Sequence, residues 1–166
     1  MEVGDWITLC AVIVALGIGV ASILHTQSLQ KRERRERLLN EIIEWAEDIR
    51  KSSSESIDPS KIVYDTPIEQ EATQRGFRLL RGRYQELNTK SAYMKKVISK
   101  VFEANLLSAV EKVIQKLDET IEMLGGCLTR KAKENSEKAE EYKKSLDGYA
   151  EELIKEATEI KTSDIS

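Results

Sequence analysis

The pattern of hydrophobic and polar positions divides the chain into a uniformly apolar start and a long amphipathic remainder. Residues Ile7 to Leu24 form an uninterrupted run of 18 residues without a charge. A helix over this run is roughly 27 Å long at about 1.5 Å per residue, close to the ~30 Å hydrocarbon core of a bilayer. Trp6 lies at one edge of the run, where an indole favours the headgroup region. The pattern predicts one transmembrane helix.

A cleavable signal peptide is the main alternative for this segment. Gly19-Val20-Ala21 has the small residues that a cleavage site needs. The residues before the run, however, are MEVGD and contain no lysine or arginine. A signal peptide begins with a basic region, so the anchor is favoured and cleavage stays open.

The remainder of the chain has the three-to-four-residue periodicity of helices. A first helix is predicted from Gln27 to Lys51, and a serine-rich and proline-containing linker follows it. Thr66-Pro67-Ile68-Glu69 is typical of a helix start, with a capping Thr, a Pro in the first turn and a Glu at the third position. A third helix is predicted from Lys90 to Leu124, where Gly125-Gly126 would end it in a left-handed conformation. The last helix is predicted from Leu128 to Ile160.

Two of these helices carry apolar seams at intervals of three and four residues. The third helix has Val110, Ile114, Leu117, Ile121 and Leu124. The last helix has Leu128, Ala132, Asn135, Ala139, Tyr142, Leu146, Tyr149, Leu153, Ala157 and Ile160. Such spacing predicts heptad packing between antiparallel neighbours, with Lys143 and Glu152 on the outer side.

The predicted fold is all-α. A single N-terminal transmembrane helix is followed by a cytoplasmic up-and-down helical bundle, or antiparallel coiled coil, of three to four helices. The predicted organisation is an anchor over residues 1–25, a juxtamembrane amphipathic helix over 26–51, a linker over 52–66 and a helical bundle with a coiled-coil C-terminal helix over 67–166.

Charge next to the apolar run predicts its orientation. The segment KRERRER contributes Lys31, Arg32, Arg34, Arg35 and Arg37, whereas no basic residue precedes the run. Basic flanks stay on the cytoplasmic side, so the N-terminus should lie outside the cell membrane and the C-terminal domain inside. The same residues could also bind anionic lipid, or serve only as a determinant of topology.

Small residues recur along one side of the apolar run, at Ala11, Ala15, Gly19 and Ser22. A side made of small residues lets two membrane helices approach closely. This spacing suggests a packing face for a second copy or another membrane helix. Glycine and alanine are also common in such helices without this role.

A second basic region lies in the amphipathic part. Residues 75–100 contain eight lysines and arginines and one acid, in a chain whose net charge is −3. Arg75, Arg78, Arg81 and Arg83 begin this region and are candidates for contact with anionic lipid or an acidic partner. The alternative is an internal role, in which the basic helix pairs with the acidic helices of its own bundle. The region has no nucleic-acid-binding motif, which disfavours nucleic acid.

Residues suited to catalysis are sparse. His25 is the only histidine, and the two cysteines are Cys10 in the apolar run and Cys127 near the paired glycines. No nucleotide-binding loop, serine-hydrolase elbow or zinc-binding motif is present. We expect no enzyme activity, no cofactor, no metal and no small-molecule substrate.

Two functions fit this pattern. In the first, a membrane-anchored helical interaction module holds a protein partner, or a homo-oligomer, at the inner face of the membrane. In the second, the chain is an accessory or regulatory subunit of a membrane transport or signalling complex, engaged through its transmembrane helix.

Overall fold

The computed structural model describes residues 3–54, 67–102, 104–128 and 132–165, and their side chains except at 3–14, 67–70, 132–135 and 165. These residues form five helices and no strand. The helices are α1 (Val3–Ser54), α2 (Pro67–Thr89), α3 (Ser91–Val101), α4 (Ala104–Gly126) and α5 (Ala132–Ile165). The predicted all-α helical bundle is confirmed.

The chain forms two compact units, Met1–Leu38 and Leu39–Ser166. The second unit contains the hydrophobic core, and its helices bury residues at alternating intervals of three and four. These residues are Leu39, Ile42, Ala46 and Ile49 on α1; Phe77, Leu80, Tyr84, Leu87, Ser91, Met94 and Ile98 on α2 and α3; Leu106, Val110, Val113, Leu117, Thr120, Leu124 and Cys127 from α4 onward; and Ser136, Ala139, Lys143, Leu146, Ala150, Leu153 and Ala157 on α5.

Helices α2 and α3 act as one rod in this packing. Their buried positions continue from Leu87 to Ser91 without a change of interval, although the helix is interrupted at Lys90. Contacts with α4 recur every seven residues in antiparallel order: Arg81 with Gly125, Asn88 with Asp118 and Lys95 with Glu111. Two helical turns therefore separate successive contacts along the whole rod.

The last part of α1 completes the bundle through buried polar contacts. The Trp45 indole Nε1 donates a hydrogen bond of 3.0 Å to the carbonyl oxygen of Leu87, near the C-terminal end of α2. The same carbonyl also accepts a hydrogen bond of 3.3 Å from the Lys90 N–H, so the indole is its second donor at the helix end, where carbonyls lack the usual partners of their own helix. The hydroxyls of Tyr84 and Ser53 lie 3.0 Å apart. These two contacts show that the last part of α1 runs antiparallel to α2.

Helix α5 also runs antiparallel to α1. Arg50 Nε donates to Asp147 Oδ1 at 3.1 Å, and Lys161 Nζ donates to Asn40 Oδ1 at 2.8 Å. The hydrogen bond to Asp147 raises the pKa of Arg50. Because both charged side chains are about 40% exposed, the pair fixes orientation more than it stabilises the fold.

The prediction of one continuous helix from Lys90 to Leu124 is wrong. Helix α3 ends at Val101, Phe102 has an extended backbone (φ −122°, ψ 167°), and α4 begins at Ala104. The antiparallel Lys95–Glu111 pair requires the chain to reverse between the two helices. The chain therefore turns a corner next to Phe102.

The predicted left-handed end of the helix at Gly125-Gly126 is also wrong. Both glycines belong to the last turn of α4, and among the described residues no glycine has a positive φ. The helix gives way to a turn at Cys127 and Leu128. Right-handed backbone suffices there, so the conformational freedom of glycine is not used.

The predicted seams are correct in period but partly wrong in face. On α4, Val113 and Thr120 are buried, whereas Ile114 and Ile121 are only partly buried. On α5, Lys143 and Ala150 occupy core positions in place of Tyr142 and Tyr149. Lys143 was expected on the outer side, yet only 1% of its surface is exposed.

Candidate interaction surfaces

The first unit exposes a strongly apolar length of α1. Every residue from 15 to 34 is exposed. The large apolar side chains Leu16, Ile18, Val20, Ile23 and Leu24 are each 56% to 64% exposed. Leu16 and Ile18 lie on opposite sides of the helix, because two residues correspond to about 200° of rotation. The exposed apolar surface thus surrounds the helix instead of forming one stripe.

The predicted span is described only in part. Within the residues that the structure describes, no helix has the length and apolar character required to cross a membrane. The side chains of Ile7 to Val14, the first part of the apolar run, lie outside those residues.

The predicted small-residue face is also described only in part. Ala15, Gly19 and Ser22 are exposed, and a shallow apolar depression lies over Ala15 and Gly19 between the side chains of Leu16, Val20 and Ile23. The side chain of Ala11 lies outside the described residues. The Ser22 carbonyl oxygen accepts a hydrogen bond from the Thr26 hydroxyl at 2.8 Å.

The basic segment after the apolar run is mostly exposed. Lys31, Arg32, Arg34 and Arg37 are exposed and Arg35 is half-buried. Glu33 and Glu36 lie between them and are exposed as well. The segment continues the helix of α1, so its basic side chains point in several directions around one axis.

The four arginines that begin the second basic region do not share one environment. Arg75 and Arg78 are exposed, and Arg75 makes a long ion pair of 3.8 Å with Glu71 of its own helix. Arg83 is also exposed and faces a depression beside α1. Arg81 turns toward α4, where its guanidinium carbon lies 3.4 Å from the position that a Cβ on Gly125 would occupy. Sequence reasoning placed these four together, but Arg81 belongs to the packing against α4.

Part of the basic region does pair with acids of its own bundle. Lys95 Nζ lies 2.7 Å from Glu111 Oε1 on α4. The Asn88 amide donates to Asp118 Oδ1 at 2.6 Å, and Ser91 donates to Asn88 Oδ1 at 2.7 Å. One side of the α2–α3 rod therefore pairs with acidic residues of its own bundle, as the alternative predicted. Other residues of the basic region face away from the core.

Two large apolar residues that the sequence analysis did not assign to an exposed surface lie on that outward side. Leu79 and Tyr93 are 65% and 51% exposed, and Lys96 and Lys100 are exposed further along. The spacing of the buried residues on α2 could have predicted this exposure. Once Phe77, Leu80 and Tyr84 are assigned to the interior, Leu79 must lie outside.

The depressions in the second unit have mixed charge. One of about 350 Å³ is lined by Asp48, Lys51, Arg83, Glu86 and Lys90 among others. A neighbouring one of about 280 Å³ shares Asp48 and Lys90 and adds Glu41, Glu44 and Tyr93. Acids and bases both line the first depression, whereas the charged residues that α1 contributes to the second are all acids and Lys90 faces them from the other side.

Nucleophilic and metal-binding groups do not converge in the described residues. Cys127 is fully buried, and burial raises the pKa of its thiol to about 11. A thiol with so high a pKa is protonated and unreactive near neutral pH. Within the described ranges, no three His, Cys, Asp or Glu side chains are close enough to hold a metal ion.

Comparison with known proteins adds no functional assignment. No protein-family model matches the chain, and neither a curated protein nor a solved structure matches it.

Proposed function

We propose that this protein is a membrane-anchored helical interaction module. The apolar run from Ile7 to Leu24 spans the bilayer, with the N-terminus outside. The bundle holds a protein partner, or further copies of the chain, at the cytoplasmic face without catalysing a reaction. The exposed apolar surface of α1 is the observation that carries this proposal.

The energetic argument rests on what surrounds that surface. Burying a large aliphatic side chain away from water contributes about 1.5–3 kcal/mol. Leu16, Ile18, Val20, Ile23 and Leu24 are exposed within the chain, so each would forgo this contribution in water. A bilayer covers a helix from all sides, whereas a protein groove covers one. The all-round exposure therefore favours lipid as the main surroundings.

Features of the bundle support the proposal that it holds a partner and does not catalyse a reaction. Its core is filled by side chains from all its helices, and its depressions carry mixed charge without a set of converging reactive groups. A folded helical unit of this kind offers helix faces to a partner. An interaction function needs no more chemistry than that.

The anchor is tested by substitutions inside and outside the apolar run. Leu16→Arg with Val20→Arg places two charges in the span, at about 2.5–3.5 kcal/mol each near the helix centre. The full chain should resist alkaline carbonate extraction from membranes, and this variant should be released. Gln27→Arg with Gln30→Arg adds the same charge beyond the run and should remain bound.

The orientation of the chain in the membrane is tested with the same membrane preparations. A reporter fused after Ser166 should be active only if it requires the cytoplasm, because the basic flank follows the span. Release of the unmodified chain by carbonate, a C-terminal reporter active only outside, or cleavage near Ala21 would each overturn the anchor.

The alternative of an accessory membrane subunit is favoured by the depression over Ala15 and Gly19. The two functions differ in which unit binds. If residues 39–166 capture the same partners as the full chain, the bundle is the binding unit. If only chains with the apolar run capture them, the subunit function replaces the module.

A further inference from the structure

The outward side of the α2–α3 rod carries exposed basic residues near both of its ends. We call it the α2–α3 outer face and define it by Arg75, Arg78, Leu79, Tyr93, Lys96 and Lys100. Their spacings are three, four and fourteen residues, which keep them on one side of a helix. All six are exposed.

The interruption at Lys90 does not divide this face. The buried positions keep their interval from Leu87 through Ser91 to Met94, so α2 and α3 turn the same side toward the core. Their opposite sides must then coincide as well. From Arg75 to Lys100 the face is roughly 37 Å long at helical rise.

The charge of the face remains after the internal pairs are removed. Of the eight basic residues between 75 and 100, Arg81 packs toward Gly125 and Lys95 pairs with Glu111. The exposed acid within the same range is Glu86. The ion pair of Arg75 with Glu71 joins two side chains that are each about three-quarters exposed, so it neutralises little in water.

Two large apolar side chains protrude from the basic face. Leu79 is 65% exposed, and Tyr93, about four helical turns further along by spacing, is 51% exposed. Tyr93 lies at the edge of the face, where its hydroxyl donates a long hydrogen bond of 3.4 Å to Glu41. Gly82 lies between them on the same side, and open space surrounds the position of its absent Cβ. The backbone there can approach a flat surface closely.

We propose that the α2–α3 outer face docks the bundle on an anionic bilayer surface. The inference rests on the proposed function, because the anchor keeps the bundle close to lipid at all times. Arg75, Arg78, Lys96 and Lys100 contact the headgroups, while Leu79 and Tyr93 enter the interface between headgroups and acyl chains. A convex helical face suits a planar surface. An acidic helix of another protein would be held better by a groove.

The test uses the full chain reconstituted in vesicles. Cys10 is replaced by Ser, and Gly82→Cys carries an environment-sensitive fluorophore; Cys127 stays unlabelled because it is buried. One set of vesicles is phosphatidylcholine alone, and the other contains phosphatidylglycerol in addition. Headgroup-nitroxide lipid in both sets quenches the fluorophore when the face is docked. We expect quenching in the anionic vesicles only, and its loss in high salt.

Two charge variants provide the contrast. Arg75→Gln, Arg78→Gln, Lys96→Gln and Lys100→Gln together should lower the docking equilibrium on the order of a hundredfold or more, since each basic residue near an anionic surface contributes several-fold. The matched control removes four exposed lysines elsewhere, through Lys51→Gln, Lys112→Gln, Lys144→Gln and Lys155→Gln, and should dock normally. Leu79→Ser should weaken docking with no change in charge. Circular dichroism confirms that each variant remains helical.

Three results overturn the inference. Equal quenching in neutral and anionic vesicles excludes recognition of charge, and equal loss in the two charge variants excludes this face. Absence of quenching, together with binding of a polyglutamate peptide that depends on the same four residues, assigns the face to an acidic protein instead. Flotation with neutral vesicles reports on the anchor separately, so a failed anchor is distinguished from a failed face.

Discussion

At the scale of single residues, the most unusual feature is a lysine in the hydrophobic core. Lys143 lies at a core position of α5 with 1% of its surface exposed, and its Nζ donates to Glu140 Oε1 at 2.9 Å. The aliphatic part of a lysine can fill core volume while the amine reaches a polar partner. A polar residue at a core position also discriminates between registers of neighbouring helices, at a cost in stability.

We predict that Lys143→Met leaves the free energy of unfolding unchanged or raises it. Methionine keeps the length of the side chain and removes the cost of burying a charge, and such replacements are often neutral or stabilising. Glu140→Ala should lower stability by about 1–3 kcal/mol, because it removes an acceptor from a buried amine. Chemical denaturation of both variants measures the difference. A loss above ~2 kcal/mol in Lys143→Met would show that the amine itself holds the core together.

At the scale of helices, hydrophobic periodicity predicted where helices exist better than which side faces inward. On α5 the apolar spacing predicts Tyr142 and Tyr149 on the seam and Lys143 outside it. In the structure both tyrosines are half-buried. The Lys116 amine lies 3.9 Å from the centre of the Tyr142 ring, and Tyr149 lines a depression beside Lys112 and Lys116. Tyrosine suits such an edge, since its ring packs while its hydroxyl stays in water.

The reversal between α3 and α4 could not be predicted from local sequence. The residues around Phe102 include neither glycine nor proline, the usual signals of a turn. Only the pairing of α3 with α4 reveals the corner. Conversely, Gly125-Gly126 resembled a helix end with left-handed backbone, but the helix includes both residues. Tertiary packing outweighed the local signal in each case.

The corrected face of α5 gives a sharper test of its seam. Leu146 and Leu153 are fully buried, so Leu146→Ala or Leu153→Ala should lower the free energy of unfolding by about 2–5 kcal/mol. Glu152 is exposed on the same helix, and Glu152→Ala should change it by no more than about 0.5 kcal/mol. Thermal and urea melts of the three variants provide the comparison. Similar losses in all three would mean that this side of α5 does not face a core.

At the scale of the whole molecule, the sequence indicated the chemistry of the candidate surfaces but not their geometry. The excess of basic residues between 75 and 100 is visible in composition alone. Which of them face outward depends on the rotation of α2 about its axis, and the core contacts of Phe77, Leu80 and Tyr84 determine that rotation. Arg81 and Lys95 consequently lie beside α4, where Lys95 pairs with Glu111, while Arg78 and Lys96 belong to the outer face.

We expect the folding unit of the bundle to include the last part of α1. Residues Leu39 to Ile49 of α1 supply several fully buried side chains, including Trp45, Ile42 and Ile49, and the Trp45 indole donates a hydrogen bond to the Leu87 carbonyl. At about 1.5–3 kcal/mol for each large buried side chain, their removal would cost on the order of 10 kcal/mol. That matches the whole net stability of a typical domain, about 5–15 kcal/mol.

A fragment of residues 39–166 should therefore give a strongly helical circular dichroism spectrum and melt cooperatively, whereas residues 67–166 should lose the cooperative transition. Trp45→Phe within the longer fragment separates the hydrogen bond from the packing and should cost about 0.5–1.5 kcal/mol, the net contribution of one hydrogen bond, because the Leu87 carbonyl keeps its bond from the Lys90 N–H. Tyr93→Phe, which removes only the long exposed bond to Glu41, is its control and should have little effect. If residues 67–166 melted as cooperatively and at the same temperature as the longer fragment, the end of α1 would not be needed for folding. Its apolar side, with Trp45 at the centre, would then be free to bind a partner, and the interaction proposed for the bundle would move to that helix.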